Sequence, residues 1–251
     1  IYDTYMKDTN VHVYYSMIPD KNYFLAEQHG YPALDYDVLR EKLHIGLDYM
    51  QYIDIFPLLS IGDYYYTDTH WRQDCIVEVA KHLADAMGTD IDTVYTTQEL
   101  DNPFYGVYYG QSGLPVEADC ITYLTNDTLA NCIVYDHQND REMSVYDMDK
   151  AADRDPYEMF LGGSLAVITI DNPNANTDKE LVIFRDSFGS SIAPLLVEGY
   201  AKITLLDARY LHQNMIGNFV TFDNQDVLFL HSTSVLNNEI KKKDRETQRF
   251  P

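Results

Sequence analysis

The stretch Leu181-Val182-Ile183-Phe184-Arg185-Asp186-Ser187-Phe188-Gly189-Ser190-Ser191 joins a short apolar run to a turn rich in small residues. An apolar run of this length, bounded by turn residues, is typical of a strand buried on both faces. We therefore predict a buried strand that ends in a tight turn, and we expect this turn to expose Ser187. Strands of this kind belong to parallel sheets covered by helices.

A second stretch, Tyr66-Thr67-Asp68-Thr69-His70-Trp71, places a carboxylate and an imidazole two residues apart. On an extended or turning segment, side chains at i and i+2 face the same way. A serine is a weak nucleophile until a histidine takes its proton and a carboxylate orients that histidine. We predict Ser187, His70 and Asp68 as a catalytic triad. The alternative is an ordinary turn and an ordinary helix cap, since both patterns are common.

Composition limits the classes of function. The 251 residues allow one large domain or a domain with an insertion, and 45% hydrophobic with 13% aromatic residues predict a globular protein. The 18 basic and 40 acidic residues give a formal charge of −22, which argues against a nucleic-acid partner. The acidity is spread along the chain and indicates a solvated surface. No loop has the spacing of a calcium-binding EF-hand.

The numbers and positions of the tyrosines and cysteines are also informative. The 22 tyrosines suit strand packing, and a minority are candidates for lining a sugar-binding groove. Cys75, Cys120 and Cys132 lack zinc-site spacing. Cys120 and Cys132 lie in neighbouring strand-like runs and could pair, but the odd count fits reduced thiols equally well. No stretch approaches the roughly 18 apolar residues of a membrane span, and no signal-peptide pattern is present.

The remaining chain alternates between strand and helix patterns. Predicted strands cover residues 11–18, 53–59, 104–109, 118–124, 131–135, 165–170, 181–184, 202–206 and 227–230. Predicted helices cover 35–50 with Asp35 as N-cap, 71–87 ending at Gly88, 187–200 and 210–219. We expect a first α/β part (1–100), an inserted β-rich segment (101–160), a second α/β part (161–240) and a charged tail (241–251). Strand–helix alternation implies parallel strands whose carboxyl ends form the ligand site.

Taken together, Tyr-x-Thr-Asp-Thr-His-Trp before a helix, the later Arg-Asp-Ser-Phe-Gly-Ser-Ser and a strand ending Asp-Ala-Arg-Tyr resemble the DHHW protein family and the SGNH-hydrolase-like domain of alginate O-acetyltransferases. The resemblance spans residues 11 to 238, with little of it in 101–160. It implies a flavodoxin-like three-layer fold with a mainly parallel sheet. It also implies that the motif order is circularly permuted, with Ser187 as nucleophile, His70 as base and Asp68 as its orienting carboxylate.

The sequence departs from the SGNH pattern near the expected oxyanion hole. Arg185 replaces the usual glycine before Asp-Ser, and His231-Ser232-Thr233 stands where an asparagine block is expected. We expect the oxyanion donors to be the backbone N–H of Ser187 and the side chain of Arg209 or Ser232. Trp71 and Tyr66 are candidate substrate contacts, with core packing as the alternative for Trp71.

The leading hypothesis is an O-acetyltransferase or acetylesterase that acts on carbohydrate and needs no cofactor. The resemblance implies an extracytoplasmic enzyme that takes an acetyl donor and a carbohydrate polymer, beside a membrane-bound acyltransferase. A catalytically impaired glycan-binding scaffold is the second hypothesis. A metal site built from Asp63, Asp68 and His70 is a third and weaker one.

Overall fold

The computed structural model describes residues 1–238. Its strands, in chain order, are β1 (His12–Ile18), β2 (Gln51–Tyr52), β3 (Thr96–Phe104), β4 (Asp119–Thr125), β5 (Ile133–Asp136), β6 (Arg141–Met143), β7 (Val167–Asp171), β8 (Glu180–Arg185), β9 (Lys202–Leu206) and β10 (Asp226–Ser232). Eight of these strands form the main sheet, in the order β2-β1-β10-β8-β9-β7-β5-β6. The pairs from β2 to β9 are parallel, and the pairs from β9 to β6 are antiparallel.

The helices surround this sheet. They are α1 (Tyr2–Tyr5), α2 (Lys21–His29), α3 (Tyr36–Gly46), α4 (Val77–Ala86), α5 (Val107–Ser112), α6 (Asp127–Asn131), α7 (Met148–Ala151) and α8 (Gly189–Ile192). Turns of 3₁₀-helix cover Phe56–Leu58, Ile61–Asp63, Gln73–Cys75, Pro156–Met159, Ala193–Gly199 and Gln213–Asn218. Residues 233–238 are also helical.

Hydrophobic side chains on both faces of the sheet form two separate cores. The larger core packs α4 and the segment 192–197 against one face, and the second packs residues 216–222 and Met6 against the other. Because both faces are covered, β7, β8 and β9 are nearly continuous runs of buried residues. The predicted α/β class with a mainly parallel central sheet is confirmed.

Several predicted elements form as expected. Strands occur at or near 11–18, 118–124, 131–135, 165–170, 181–184, 202–206 and 227–230. The carboxylate of Asp35 caps α3 by accepting the N–H of Val38 at 3.0 Å. The chain leaves α4 at Gly88, whose positive φ of 68° suits a residue without a side chain.

Other predicted elements were wrong. No strand covers 53–59, because Pro57 cannot donate a ladder hydrogen bond and instead lies within the 3₁₀ turn Phe56–Leu58. The strand predicted at 104–109 ends at Phe104, and α5 follows it. The predicted helix 187–200 is α8 continued by a 3₁₀ segment, and 210–219 holds only 3₁₀ turns.

The fold also contains a helix that the sequence patterns did not predict, α2, and the strands of the segment 101–160. Helix α2 begins just after Asp20, whose carboxylate caps it by accepting the N–H of Asn22. Strands β5 and β6 from 101–160 extend the main sheet, whereas β3 and β4 form a separate hairpin. The division of the chain at residues 100 and 160 stays a prediction, and the tail 241–251 lies outside the described residues.

The cysteine and membrane expectations can be compared with the described part of the chain. Cys75, Cys120 and Cys132 are all free thiols, so Cys120 and Cys132 do not pair. Of the helices in residues 1–238, none has the length and apolar character needed to cross a membrane.

Candidate active site

Ser187 lies just beyond the carboxyl end of β8, on a turn fixed by Asp186. One oxygen of the buried Asp186 carboxylate accepts the N–H of Phe188 at 3.1 Å, and the other accepts the N–H of Ser232 at 2.7 Å. The turn is thus tied to the end of the neighbouring strand β10. A Cβ atom at Gly189 would approach the Cβ of Arg185 to 2.5 Å, so the turn needs glycine there.

The structure brings Ser187, His70 and Asp68 into one chain of hydrogen bonds. His70 Nε2 lies 2.7 Å from Ser187 Oγ, and His70 Nδ1 lies 2.5 Å from Asp68 Oδ1. The ionised carboxylate can only accept, so Nδ1 carries the proton and Nε2 is left to accept from the serine hydroxyl. This is the geometry required of an activated serine nucleophile.

Asp68 is held as an anion inside the protein. Burial by itself would raise the pKa of this carboxyl group, but the hydrogen bonds and charge of His70 and the N–H of Val107 lower it to about 2. The same Oδ1 also accepts the backbone N–H of His70 at 3.0 Å. The carboxylate therefore fixes both the backbone and the ring of His70.

The segment after β3 supports Asp68 from the other side. The N–H of Val107 donates to Asp68 Oδ2 at 3.0 Å. Gly106 approaches so closely that a Cβ there would lie 2.2 Å from the Cβ of Asp68. The carboxylate of Asp119, at the start of β4, accepts the N–H groups of Tyr66 and Thr67 at 2.8 and 2.6 Å. Both supports come from residues 101–160.

Aromatic rings enclose the imidazole of His70. The ring of Tyr157 stacks on it with centroids 3.9 Å apart and planes 12° apart, and Phe188 packs at 4.8 Å. Tyr157 is buried, and its hydroxyl donates to Ser191 Oγ at 2.9 Å. Trp71 Nε1 donates to the same oxygen, also at 2.9 Å. Ser191 lies four residues after Ser187, so it links the serine turn to the rings around His70.

The other predicted site residues are placed differently. Trp71 is completely buried, so it packs in the core and offers no face to a sugar. Arg209 donates twice to Asp207 and lines a cavity with His231 that does not include Ser187. The hydroxyl of Ser232 is buried and lies 3.0 Å from that of Ser234. Tyr66, by contrast, is 73% exposed.

The Ser187 N–H stands at the beginning of a helical segment. The N–H groups of Gly189 and Ser190 already donate to the carbonyls of Asp186 and Ser187. The hydrogen bonds within residues 1–238 give the Ser187 N–H itself no acceptor. It is therefore available as a backbone donor beside the serine hydroxyl.

Arg185, which departs from the SGNH pattern, has a structural role on the reverse side of the turn. Its buried guanidinium donates to the carbonyls of Gly163 and Leu165 at 3.3 and 3.2 Å and lies 3.8 Å from the carboxylate of Asp207. These contacts join β8 to the segment before β7.

The metal hypothesis finds no support in the described side chains. Asp63 accepts from the N–H and hydroxyl of Ser60 as part of a helix cap. Residues 1–238 contain no group of three or more histidine, cysteine or acidic side chains that could hold a metal ion.

Sequence comparison identifies the family. The model of the DHHW protein family matches residues 60–206, which is over half of the chain and includes both motifs. The chain belongs to the DHHW protein family. The resemblance predicted from the two motifs is confirmed. No curated protein sequence matches the chain.

Solved structures show the same fold. A DHHW family protein from Eubacterium siraeum is 22% identical, with a TM-score of 0.68 over 90% of this chain and 78% of that chain. Bacillus cereus PatB1 with a sulfonyl adduct is 21% identical, with a TM-score of 0.64 over 90% and 82%. The O-acetyltransferase domain of Pseudomonas putida AlgJ is 13% identical, with a TM-score of 0.48 over 89% and 75%. The chain thus shares its fold with the Eubacterium siraeum protein and with PatB1.

Sequence patterns missed the supporting residues of the site. Three of them lie outside both motifs, namely Gly106, Asp119 and Tyr157. The fourth, Ser191, lies within the serine motif but has no distinctive pattern around it. Ser191 lies in α8, which follows the turn after β8. Its role as an acceptor depends on the fold, which brings Trp71 and Tyr157 together beside it. A lone glycine after β3 was the one local signal of close backbone approach.

Proposed function

We propose that this DHHW protein is a serine acyl-transfer enzyme, an O-acetyltransferase or acetylesterase acting on extracellular or cell-wall polysaccharide. The observation that carries the proposal is the continuous chain from Ser187 Oγ through His70 to Asp68, with contacts of 2.7 and 2.5 Å. A chain of this kind, placed at the carboxyl end of a central strand, is suited to acyl transfer.

In the first half-reaction, Ser187 Oγ attacks the carbonyl carbon of an acetyl ester while His70 Nε2 takes the serine proton. Asp68 stabilises the imidazolium that forms, and the Ser187 N–H donates to the oxyanion. Collapse of the tetrahedral intermediate breaks the bond to the leaving alkoxide, which takes the proton from His70. Acetyl-Ser187 remains.

In the second half-reaction, His70 takes a proton from the acceptor hydroxyl as its oxygen attacks acetyl-Ser187. A sugar hydroxyl gives the acetylated glycan, and water gives acetate. The proton then returns from His70 to Ser187. The balance between transfer and hydrolysis depends on how far water is excluded from the site.

The relatives give this proposal its setting. AlgJ is described as having an O-acetyltransferase domain, and PatB1 has been solved with a sulfonyl adduct. A sulfonyl group bonded to a nucleophile is consistent with a reactive residue in a protein of this fold. From the family resemblance of the two motifs, we also propose an extracytoplasmic location, a carbohydrate polymer as acceptor, and a membrane-bound acyltransferase as a partner.

The test combines activity with chemical labelling. Purified protein is assayed for hydrolysis of p-nitrophenyl acetate beside Ser187→Ala and His70→Ala, and each is treated with phenylmethylsulfonyl fluoride. We expect hydrolysis by the wild type alone and a sulfonyl mass increase located on Ser187. Equal hydrolysis by the wild type and both variants, with no label on Ser187, contradicts the proposal.

The alternative hypothesis is a glycan-binding scaffold without catalytic activity, and a specific observation favours it. Neither Arg209 nor Ser232 offers a free side chain as a second oxyanion donor, because Asp207 and Ser234 engage them. Glycan binding without acetyl transfer or Ser187 labelling would support the scaffold instead.

A further inference from the structure

A groove of 580 Å³ opens beside the Ser187–His70 pair, and we name it the acceptor groove. Two of its lining residues, Thr69 and Phe188, flank the pair, since Thr69 precedes His70 and Phe188 follows Ser187. The groove's volume is in the range of small-molecule sites. The groove therefore lies next to the catalytic pair, although neither Ser187 nor His70 lines it.

The lining side chains are mostly polar and include no basic residue within the described part of the chain. The hydroxyls, amides and carboxylates among them match the hydroxyl groups of sugars. These polar residues are Asp20, Asn22, Asp35, Tyr36, Thr69, Tyr108, Ser234, Asn237 and Asn238.

Two carboxylates give the acceptor groove a negative charge in fixed positions. Asp20 accepts the hydroxyls of Tyr36 and Thr233 at 2.8 and 2.9 Å and the N–H of Asn22 at 2.9 Å. Asp35 is held as the cap of α3. Neither carboxylate is paired with a lysine or arginine within residues 1–238.

The tyrosines of the groove stay neutral. Burial raises the pKa of Tyr36, and the charge of Asp20 raises it further. Burial likewise raises the pKa of Tyr108, with smaller effects from Asp20 and Asp68. The negative field of the groove is thus supplied by carboxylates at neutral pH.

Lys21, between Asp20 and Asn22 in sequence, is not free to form an ion pair with a ligand carboxylate. Its ammonium donates to the carbonyl oxygens of Tyr65 and Tyr66 and lies 5.0 Å from the centroid of the Tyr108 ring. These contacts occupy it inside the protein.

We propose that the acceptor groove binds a glycan that is uncharged or carries free amino groups and that it disfavours uronic-acid chains. A uronate would bring its carboxylate against Asp20 and Asp35 without a basic partner, whereas a protonated amino group would be attracted by them. The formal charge of −22 acts in the same direction at longer range. The assignment of this glycan as acceptor rests on the proposed function, but the binding preference does not.

The test measures binding by the Ser187→Ala variant, so that no turnover occurs. Glucosamine oligomers, cello-oligosaccharides and oligogalacturonates of one length are compared by calorimetry at neutral pH and low salt. We expect the glucosamine oligomer to bind most tightly and the galacturonate most weakly, and we expect added salt to narrow the difference. Equal affinities, tightest binding of the galacturonate, or no binding of any oligomer would overturn the proposal.

Asp35→Asn is the matched variant, because asparagine caps a helix as well as aspartate does. Removing one carboxylate should change the affinity ratio between glucosamine oligomer and galacturonate by roughly two- to fivefold, as expected for a solvated charge pair. An unchanged ratio would mean that Asp35 does not discriminate and would count against the proposal.

The two proposals can fail separately. Ser187-dependent ester hydrolysis with no charge preference in binding would contradict only the proposed ligand preference of the acceptor groove. The expected order of oligomer affinities without ester hydrolysis or labelling of Ser187 would contradict only the proposed enzyme activity.

Discussion

The imidazole of His70 lies flat against the ring of Tyr157, with the two centroids 3.9 Å apart and the planes only 12° apart. His70 becomes a cation when it takes the serine proton, and the face of an aromatic ring carries partial negative charge. The stack therefore stabilises the imidazolium more than the neutral ring, by about 0.5–2 kcal/mol. It also limits rotation of the imidazole away from Ser187.

The first prediction concerns Tyr157. Tyr157→Leu should lower kcat for p-nitrophenyl acetate by about tenfold, since the cation loses the ring stacked on its face while Asp68 and Ser187 stay in place. Tyr157→Phe keeps the stack and should retain most of the activity. Tyr65→Phe is the control, because its buried hydroxyl has no partner in the described chain. Full activity in the Leu variant would show that the stack does not contribute.

The second prediction concerns Gly106. Gly106→Ala places a methyl group where the Cβ and Oδ2 of Asp68 already lie, at 2.2 and 2.5 Å, so Asp68 must move. We expect a loss of activity of at least about 100-fold, because small displacements of a catalytic group have costs of this size. Ester hydrolysis with purified variants provides the measurement.

Gly110→Ala is the matched control within α5. A Cβ there meets open space, so activity should be kept and stability slightly raised by a better helix former. Similar activity in the two variants would show that Asp68 tolerates displacement.

The third prediction follows from the lowered pKa of Asp68. Its value of about 2 in the folded protein lies below the ordinary 3.8, so ionised Asp68 stabilises the fold above the ordinary value. This contribution, about 2 kcal/mol, is lost as the pH falls through the folded pKa. The free energies of unfolding of wild type and Asp68→Asn should therefore converge between about pH 5 and about pH 2.5.

Urea titrations at several pH values in that interval measure the convergence. A constant difference between the two proteins across the interval would contradict the prediction.

The sequence predicted the parts of the fold and site that depend on local pattern. The run 181–184 gave a buried strand because such strands have apolar residues on both faces, and Asp35 was recognisable as a cap. The hydrophobic content of residues 53–59 indicated a strand, but Pro57 interrupts it. Residue chemistry offered Ser187, His70 and Asp68 as a triad beside an ordinary turn and helix cap, and the resemblance favoured the triad, since 116 residues separate Ser187 from His70 and pattern alone carries no long-range geometry.

The supporting residues could not be predicted for the same reason. Tyr157 resembles any other tyrosine of a tyrosine-rich chain until the fold sets it against His70. Arg209 and Ser232 were expected to face the serine, but oppositely charged and polar neighbours near each residue engage their side chains. Local pattern shows which groups are available and not which partners they take.

The last prediction compares two neighbouring serines. Ser191 Oγ accepts from both Trp71 and Tyr157, whereas the equally buried Ser190 Oγ has no partner in the described chain. Ser191→Ala leaves two buried donors unpaired and should destabilise the protein by about 2–4 kcal/mol. Ser190→Ala removes an unpaired hydroxyl and should be neutral or stabilising.

A double-mutant cycle shows whether the two donors act through Ser191. In the Tyr157→Phe background one donor is already absent, so Ser191→Ala should cost less than it does in the wild type. Urea unfolding of the four proteins gives the coupling energy. If Ser191→Ala cost the same in both backgrounds, the bond from Tyr157 would contribute nothing, and the orientation of the ring over His70 would depend on packing against Phe160 and Tyr65 alone.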